Sequence, residues 1–494
     1  MEQRYRNRYL EGKYSACSTK WPHIKGSLKM SKKQVIGSCL AVIVGIVVAL
    51  ITPPQGLTPP AMYGLGILLW AVTCWMFEVA PDYIIAMAMC TLWVLFQCVP
   101  FKTAFATFSD PTWWLLLGAM GMGVAVSKSG LLRRISLRVM RTFPATFNGQ
   151  VLAMISAGTV IAPLVPSMTV KAAIVAPISM GISDAMGYPR KSRGAGGLFG
   201  AMYLGFVLTG PMFISASFIG YMMRGLLPQD IQSQFTWTLW FTASLVWSVV
   251  VLILMYIAIR FFYTPKEKDS LPPDYAAKQL AALGPMQRNE KITAAVLIMA
   301  LLCWMTEALH GIHATVIALS GLVVLLICKV FDRQDFRSGM GWDNMIFIGG
   351  IINLGSVLPV LKIDKWIAQM ASPVIGPMIS NIYLFIVVLC FAIYAIRFIL
   401  VSFTATTAIF TVLFVPFAQQ AGVNPWITGF IVYVSTGIWH VFYQNSTFLT
   451  SFYAVEGKMV THRQMVPLSL AYSAISIAAS LLSVPLWRYL GLVP

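Results

Sequence analysis

Two short hydroxyl-bearing stretches interrupt apolar sequence at related places in the chain, Ser167-Met168-Thr169 and Ser402-Phe403-Thr404. Each stands before an apolar run that restarts a helix. Ser and Thr are good N-caps there, and the first turn presents unpaired backbone N–H groups at the positive end of the helix dipole. In hydrocarbon such donors need an acceptor, because an unsatisfied group costs several kcal/mol, and a carboxylate is a suitable one. Two tips facing each other would form two anion cradles, matched to a small molecule with a carboxylate at each end. Lys171, four residues after Ser167, adds a cation on the same helix, and no acid lies between Asp110 and Asp184 to pair with it. An ionisable residue at bilayer depth is functional by default. Arg397, five residues before Ser402, either helps from the other side or anchors at the interface. Hydroxyls in kinked helices also back-bond to their own carbonyls, but repetition in two halves favours a site.

Two further segments are polar or breaking where lipid would reject them: Thr209-Gly210-Pro211 with Ser215 and Ser217, and Asn445-Ser446-Thr447 with Thr450. Either completes a site or is a packing kink. Glu78 and Glu307 read as interfacial residues near helix ends. His310, His313, His440 and His462 have no metal-ligand spacing. His440 reads as a helix–helix hydrogen-bonder.

The elements that must position these residues lie in a membrane. Of 494 residues 58% are hydrophobic and 11% charged, with 35 Lys and Arg against 17 Asp and Glu. An average soluble protein carries about 25% charged residues, so a soluble enzyme and a disordered chain are excluded. The basic residues sit in short clusters between apolar runs, which is the positive-inside pattern and not a nucleic-acid face. The eight cysteines lie mostly in apolar runs without a CxxC pair. They read as small core residues.

A bilayer core takes about 20 apolar residues per helix. Runs of that kind occur at 34–52, 61–78, 83–99, 112–127, 195–223, 236–260, 291–308, 312–329, 342–360, 426–455 and 467–490. Stretches 148–185 and 380–420 are apolar but broken at the middle, and they read as re-entrant hairpins. With eleven crossings and the N-terminus inside, 28 of the 35 basic residues fall on the cytoplasmic side. Cys74-Trp75-Met76-Phe77-Glu78 recurs as Cys303-Trp304-Met305-Thr306-Glu307, Gly118 recurs near Gly349 and Gly350, and the tip motif recurs as well. The expected organisation is a basic cytoplasmic tail over 1–33 and a first transmembrane helix in 34–60. Repeat 1 follows over 61–262 with hairpin 148–185, then a cytoplasmic linker over 263–290, then repeat 2 over 291–494 with hairpin 380–420. Five crossings per repeat is odd, so the second copy is inverted. An inverted repeat with a broken helix in each half points to a secondary transporter whose site lies where the halves meet. The expected fold is thus an all-α polytopic membrane protein of about 11 transmembrane helices plus two re-entrant hairpins. Its N-terminus would be cytoplasmic and its C-terminus outside.

The stretch from Pro100 to Trp114, Ser129-Gly130-Leu131-Leu132-Arg133-Arg134-Ile135, and the tip from Ala162-Pro163 to Pro177-Ile178 resemble the divalent anion/sodium symporter family. The closest likeness is to its citrate, tartrate/succinate and 2-oxoglutarate/malate antiporter branch. The resemblance implies an elevator transporter, a homodimer in a bacterial inner membrane, moving dicarboxylates or tricarboxylates. In that family each tip carries Ser-Asn-Thr or a variant that contacts substrate and, in symporters, sodium. It therefore implies substrate contacts at Ser167, Met168, Thr169, Ser402, Phe403 and Thr404, with Thr209, Gly210, Asn445, Ser446 and Thr447 from the unwound helices. Both Asn positions are apolar here, as Met168 and Phe403. Pro177 lies ten residues after Ser167, whereas Pro416 lies ten after Thr406, so Thr406 competes with Ser402 for the second tip. The branch often has Arg where Lys171 stands, and a fixed cation there replaces sodium in neutralising substrate and favours exchange.

The expected function is therefore carboxylate exchange without an enzyme activity, a metal site or a nucleic-acid partner, in contact only with membrane lipid and a small carboxylate anion. Sodium is the one cofactor the pattern admits, held near Ser167, Thr169, Gly210, Ser402, Thr404 and Ser446 if transport is sodium-coupled. Sodium symport or another ion permease of this architecture is the alternative. An intramembrane enzyme on a lipid-linked substrate would need paired acids or His clusters, and no carboxylate is expected near the tips.

Overall fold

The computed structural model describes residues 30–266, 270–379 and 381–494. Most of the basic tail, residues 1–29, lies outside them, as do Glu267 to Asp269 of the linker and Ser380. The described residues are helical, apart from one isolated bridge between Thr146 and Ser270. Among the described residues, eight helices are long and apolar enough to cross a bilayer, or nine with a bent pair taken as one span, and three further apolar helices are shorter.

The first part of the chain runs through α1 (Lys32–Leu50), α2 (Pro59–Phe77), α3 (Asp82–Leu95), α4 (Pro111–Ser129) and α5 (Leu131–Arg141). It continues with α6 (Phe147–Ile161), α7 (Met168–Ala185), α8 (Arg193–Tyr203), α9 (Phe218–Gly225) and α10 (Trp237–Tyr263). After the linker come α11 (Arg288–Met305), α12 (Ala314–Ile327), α13 (Trp342–Ile351), α14 (Ile363–Ile379) and α15 (Ile382–Ile396). The chain ends with α16 (Phe403–Gln420), α17 (Pro425–Thr436), α18 (Ser446–Ala454) and α19 (His462–Tyr489). The order from α11 to α19 follows the order from α2 to α10 element by element.

Both α6 and α7 pack on α8, a helix of 11 residues. That helix is about 16 Å long, whereas an unbroken helix over 147–185 would extend about 58 Å. The chain therefore doubles back at 162–167. In the same way α15 and α16 both pack on α17, so the chain reverses again at 397–402. In each half the short helix after the reversal is enclosed by the two arms, and every residue of α17 and every residue of α8 after Arg193 is buried.

The two halves meet through exchanged contacts. A Cβ on Gly118 of α4 would lie 2.6 Å from the backbone of Ala318 in α12, and one on Gly350 of α13 would lie 2.9 Å from Ala86 in α3. The two pairs are one contact with the halves swapped, since both glycines and both alanines are 232 positions apart. The half-helices do the same: α18 packs on α7 and α9 packs on α16. Helices α1 to α4 and α11 to α13 form one group around the glycine contacts. Helices α6 to α10 and α15 to α19 form a second, in which α10 lies along α19.

Helix α5 leaves α4 at 68°, turning on Gly130 in the left-handed region (φ 78°). Its Arg134 pairs with Glu290 at 2.7 and 3.0 Å and bonds the carbonyl of Gly284. A short helix in the linker, Tyr275–Ala282, packs on α5. Bidentate Arg–carboxylate geometry with further carbonyl acceptors thus anchors the linker's end.

The exchanged glycine contacts generate a prediction. Gly118→Ala and Gly350→Ala add a methyl where a Cβ meets backbone or the Cβ of an alanine, and overpacking of this kind costs about 1–3 kcal/mol. Gly123 has nothing nearer than 3.7 Å. Thermal unfolding of detergent-solubilised protein should show both substitutions lowering the midpoint while Gly123→Ala leaves it in place.

Candidate functional site

The two reversals bring the hydroxyl motifs to helix starts. Ser167 caps α7, its Oγ accepting from Val170 N at 3.2 Å, and Ser402 caps α16, its Oγ accepting from Ala405 N at 3.2 Å. Thr406 lies inside α16 with its hydroxyl donating to Ser402 O at 2.7 Å. The second tip is therefore in register at Ser402, and Pro416, like Pro177, falls inside the second arm.

The break in the first half begins with a π-helical turn over Leu204–Leu208 and continues through two 3-10 turns to Ser217, which caps α9. Crowding explains where it forms: Gly158 and Gly205 touch so closely that a Cβ on Gly158 would lie 2.1 Å from the Gly205 carbonyl carbon. The broken segment is sewn to the first tip. Ser215 Oγ donates to Pro163 O at 2.8 Å, Phe218 N donates to Pro166 O at 2.9 Å, and Lys171 Nζ donates to Ala216 O at 3.1 Å. In the second half residues 437–445 separate α17 from α18, and Asn445 closes the gap. Its side-chain oxygen accepts from Thr447 N and Phe448 N at 3.0 Å each while its Nδ2 donates to Gly437 O at 3.0 Å. Arg397 donates to the carbonyls of Leu400 and Val401 in the tip and of Gln444 in the break.

These two cations hold corresponding carbonyls. Ala216 precedes the cap of α9, and Gln444 precedes the cap of α18. Both side chains are fully buried. Neither forms an ion pair among the described residues. Charge-assisted bonds to carbonyls engage both side chains but leave one positive charge beside each tip, and Arg397 Nε has no partner among the described residues.

Between the tips lies a cavity of about 20 Å³ lined by Met168, Phe403, Tyr433, Tyr472, Asn445 and Thr447, with Val207, Leu208, Pro211 and Gly437. That is room for about one water. Met168 and Phe403, at corresponding tip positions, both line it. Gly210 lies under Met168, since a Cβ there would sit 2.5 Å from the Met168 sulfur. Thr169 and Thr447 bring their hydroxyls to 3.5 Å across the halves.

Several sequence candidates lie elsewhere. Lys171 does not line the cavity but stands behind the tip. Thr209 is back-bonded to Gly205 O at 2.6 Å, and Ser446 is exposed. Thr404 is half-buried on the first turn of α16. His440 lies in the gap between α17 and α18, not on a helix, and bridges Ser469 and Ser473 of α19 at 3.1 Å each. Sequence reasoning missed Tyr433 and Tyr472, two aromatics in apolar runs with no local signal. It also missed Asp82, whose carboxylate accepts from Ser402 Oγ at 2.7 Å. The expectation that no carboxylate approaches the tips is thereby corrected: Asp82 is distant in sequence and comes from the other helical group.

Arg397 serves two directions at once, and a planar fork does this where a single ammonium does not. Arg397→Lys should therefore unstitch the second tip from its break, lowering the thermal midpoint of the purified protein. The exposed Lys278→Ala in the linker should leave the midpoint in place.

The family described as the sodium:sulfate symporter transmembrane region matches residues 32–493. The putative malate transporter YflS of Bacillus subtilis is 26% identical over 71% of this chain and 75% of its own length. The chloroplastic dicarboxylate transporter 1 of Arabidopsis thaliana is 25% identical over 68% of this chain and 62% of its own. The crystal structure of the YdaH transporter of Alcanivorax borkumensis superposes with a TM-score of 0.52 at 13% identity, covering 94% of this chain and 98% of that one. With an apolar helical body, a matched cavity between two capped reversals and a family match across nearly its whole length, the chain is an integral membrane transporter, not an enzyme, and belongs to the sodium:sulfate, or divalent anion/sodium, symporter family.

Proposed function

We propose that the protein is a secondary transporter of small di- or tricarboxylates that works by exchange. The observation that carries this reading is the pair of buried cations, Lys171 and Arg397, one beside each capped tip and neither ion-paired among the described residues. Two positive charges and two helix N-termini around one small cavity favour a ligand with two separated negative ends. The printed names of the Bacillus and Arabidopsis relatives support the same substrate class.

In this proposal the tips Ser167, Met168, Thr169, Ser402, Phe403 and Thr404 contact substrate, with Gly210, Asn445 and Thr447 from the breaks. The two cations replace the sodium ions of a symporter, so no cofactor is required. The exchanged helix contacts support reading residues 61–262 and 291–494 as inverted repeats, with eleven crossings, hairpins at 148–185 and 380–420, the N-terminus cytoplasmic and the C-terminus outside. The two helical groups support an elevator mechanism in which α6 to α10 and α15 to α19 carry the site past the rest. A homodimer in a bacterial inner membrane completes the proposal. The second reading is sodium-coupled symport, and the family description favours it.

Uptake of labelled succinate, malate, tartrate and citrate into liposomes, with and without sodium and internal dicarboxylate, separates the two. Exchange without sodium is expected. A saturable sodium requirement with electrogenic uptake would establish symport, and transport of monocarboxylates or neutral amino acids alone would overturn both. Lys171→Met should weaken dianion affinity, because it removes one of the two positive charges beside the tips. Lys171→Arg should restore part of it.

A further inference from the structure

Ser402 meets a carboxylate that is not substrate. Its hydroxyl caps α16 and also donates to Oδ2 of Asp82 at 2.7 Å. Asp82 opens α3, and its backbone carbonyl accepts from Nε1 of Trp75, which is buried in α2. The carboxylate is thus fixed to the first helical group, whereas Ser402 rides on the second. Asp82 forms no ion pair among the described residues. The contact puts a carboxylate oxygen at the start of an 18-residue helix, on the hydroxyl where a substrate carboxylate is proposed to bind.

We propose that Asp82 is an internal stand-in for the substrate's carboxylate, a latch that holds the empty second tip against the first helical group and is displaced when a dicarboxylate takes the tip. The proposal rests on the reading of Ser402 as a substrate contact. A ligand moves a two-state equilibrium only through differential affinity for the two states. Substrate that competes with Asp82 for Ser402 meets that requirement, because the loaded tip is free of the first group and the empty one is not. Empty return is thereby blocked, which is what an exchanger needs.

The latch is one-sided. Positions 229 and 232 residues after Asp82 are Gly311 and Ala314. The nearby Glu307 carboxylate is occupied in accepting from Ala314 N at 3.2 Å, at the start of its own helix α12. The first tip has no equivalent anion from this loop, so the bias favours the conformation in which Asp82 and Ser402 meet.

The test is the ratio of net efflux to exchange from liposomes loaded with labelled dicarboxylate. Efflux is measured into medium without substrate and into medium with it, at full-length protein and matched thermal midpoint. In wild type the ratio should be low. Asp82→Ala should raise it at least about tenfold, as a hydrogen bond to a charged group is worth a decade or more. Asp82→Asn, which keeps an acceptor oxygen at the helix start but not the charge, should fall between the two and serves if the alanine variant does not fold. A ratio equal to wild type in both variants overturns the latch while leaving dicarboxylate exchange standing. Absence of any di- or tricarboxylate exchange in wild type overturns the substrate reading and the latch with it.

Discussion

The structure turns on one constraint: a helix broken in the middle of an apolar body exposes carbonyls and amides that no water can satisfy. This chain interrupts its helices at two reversals and two gaps. Lys171 and Arg397 resolve the problem by donating to the carbonyl just before each half-helix cap. Ser167, Ser217, Ser402 and Asn445 accept from the first-turn amides. These pairings leave the charge of both cations in place, and they leave Arg397 Nε, Gln444 Nε2 and the Tyr433 hydroxyl without partners among the described residues. In the proposed reading, two cations that are hydrogen-bonded and not ion-paired among the described residues favour an anion between them.

The same economy shapes the boundary between the helical groups. Among the described residues two side-chain hydrogen bonds that cross it are Ser402 to Asp82 and Thr238 Oγ1 to Met305 O at 3.3 Å. Within each group, by contrast, backbone approaches are so close that glycine is required, as at Gly118, Gly158, Gly205 and Gly350. Rigid bodies joined by few polar contacts are suited to moving as units, with the packed interior transmitting a change at the tips. The small cavity fits this view, since about 20 Å³ does not admit a four-carbon dianion without separation of Met168 from Phe403.

Much of this arrangement is legible in the sequence because it is written in residue types with single uses. A Ser before an apolar run, a Gly-Pro inside one and a lysine with no acid for seventy residues around it each mark a break or a charge that lipid would otherwise reject. Hence the two reversals and the first tip can be read directly, whereas Thr406 competes with Ser402 for the second. Residues whose role depends on what lies opposite cannot. Tyr433 and Tyr472 look like core aromatics until α17 and α19 are placed, and Asp82 looks like an ordinary first-turn acid until the second reversal arrives beside it. Lys171 is legible as a cation in an apolar stretch without a nearby acid, but its bond to Ala216 O is not, since that carbonyl becomes available only when the following helix breaks.

The most direct measurement of the central claim is calorimetric titration of a C4 dicarboxylate into the purified protein in sodium-free choline buffer, with wild type and Lys171→Met compared. Fixed cations standing in for mobile ones predict saturable binding to wild type without sodium, and its loss in the variant with the fold retained. Binding that appears only when sodium is added, or that is equal in the two proteins, would contradict it.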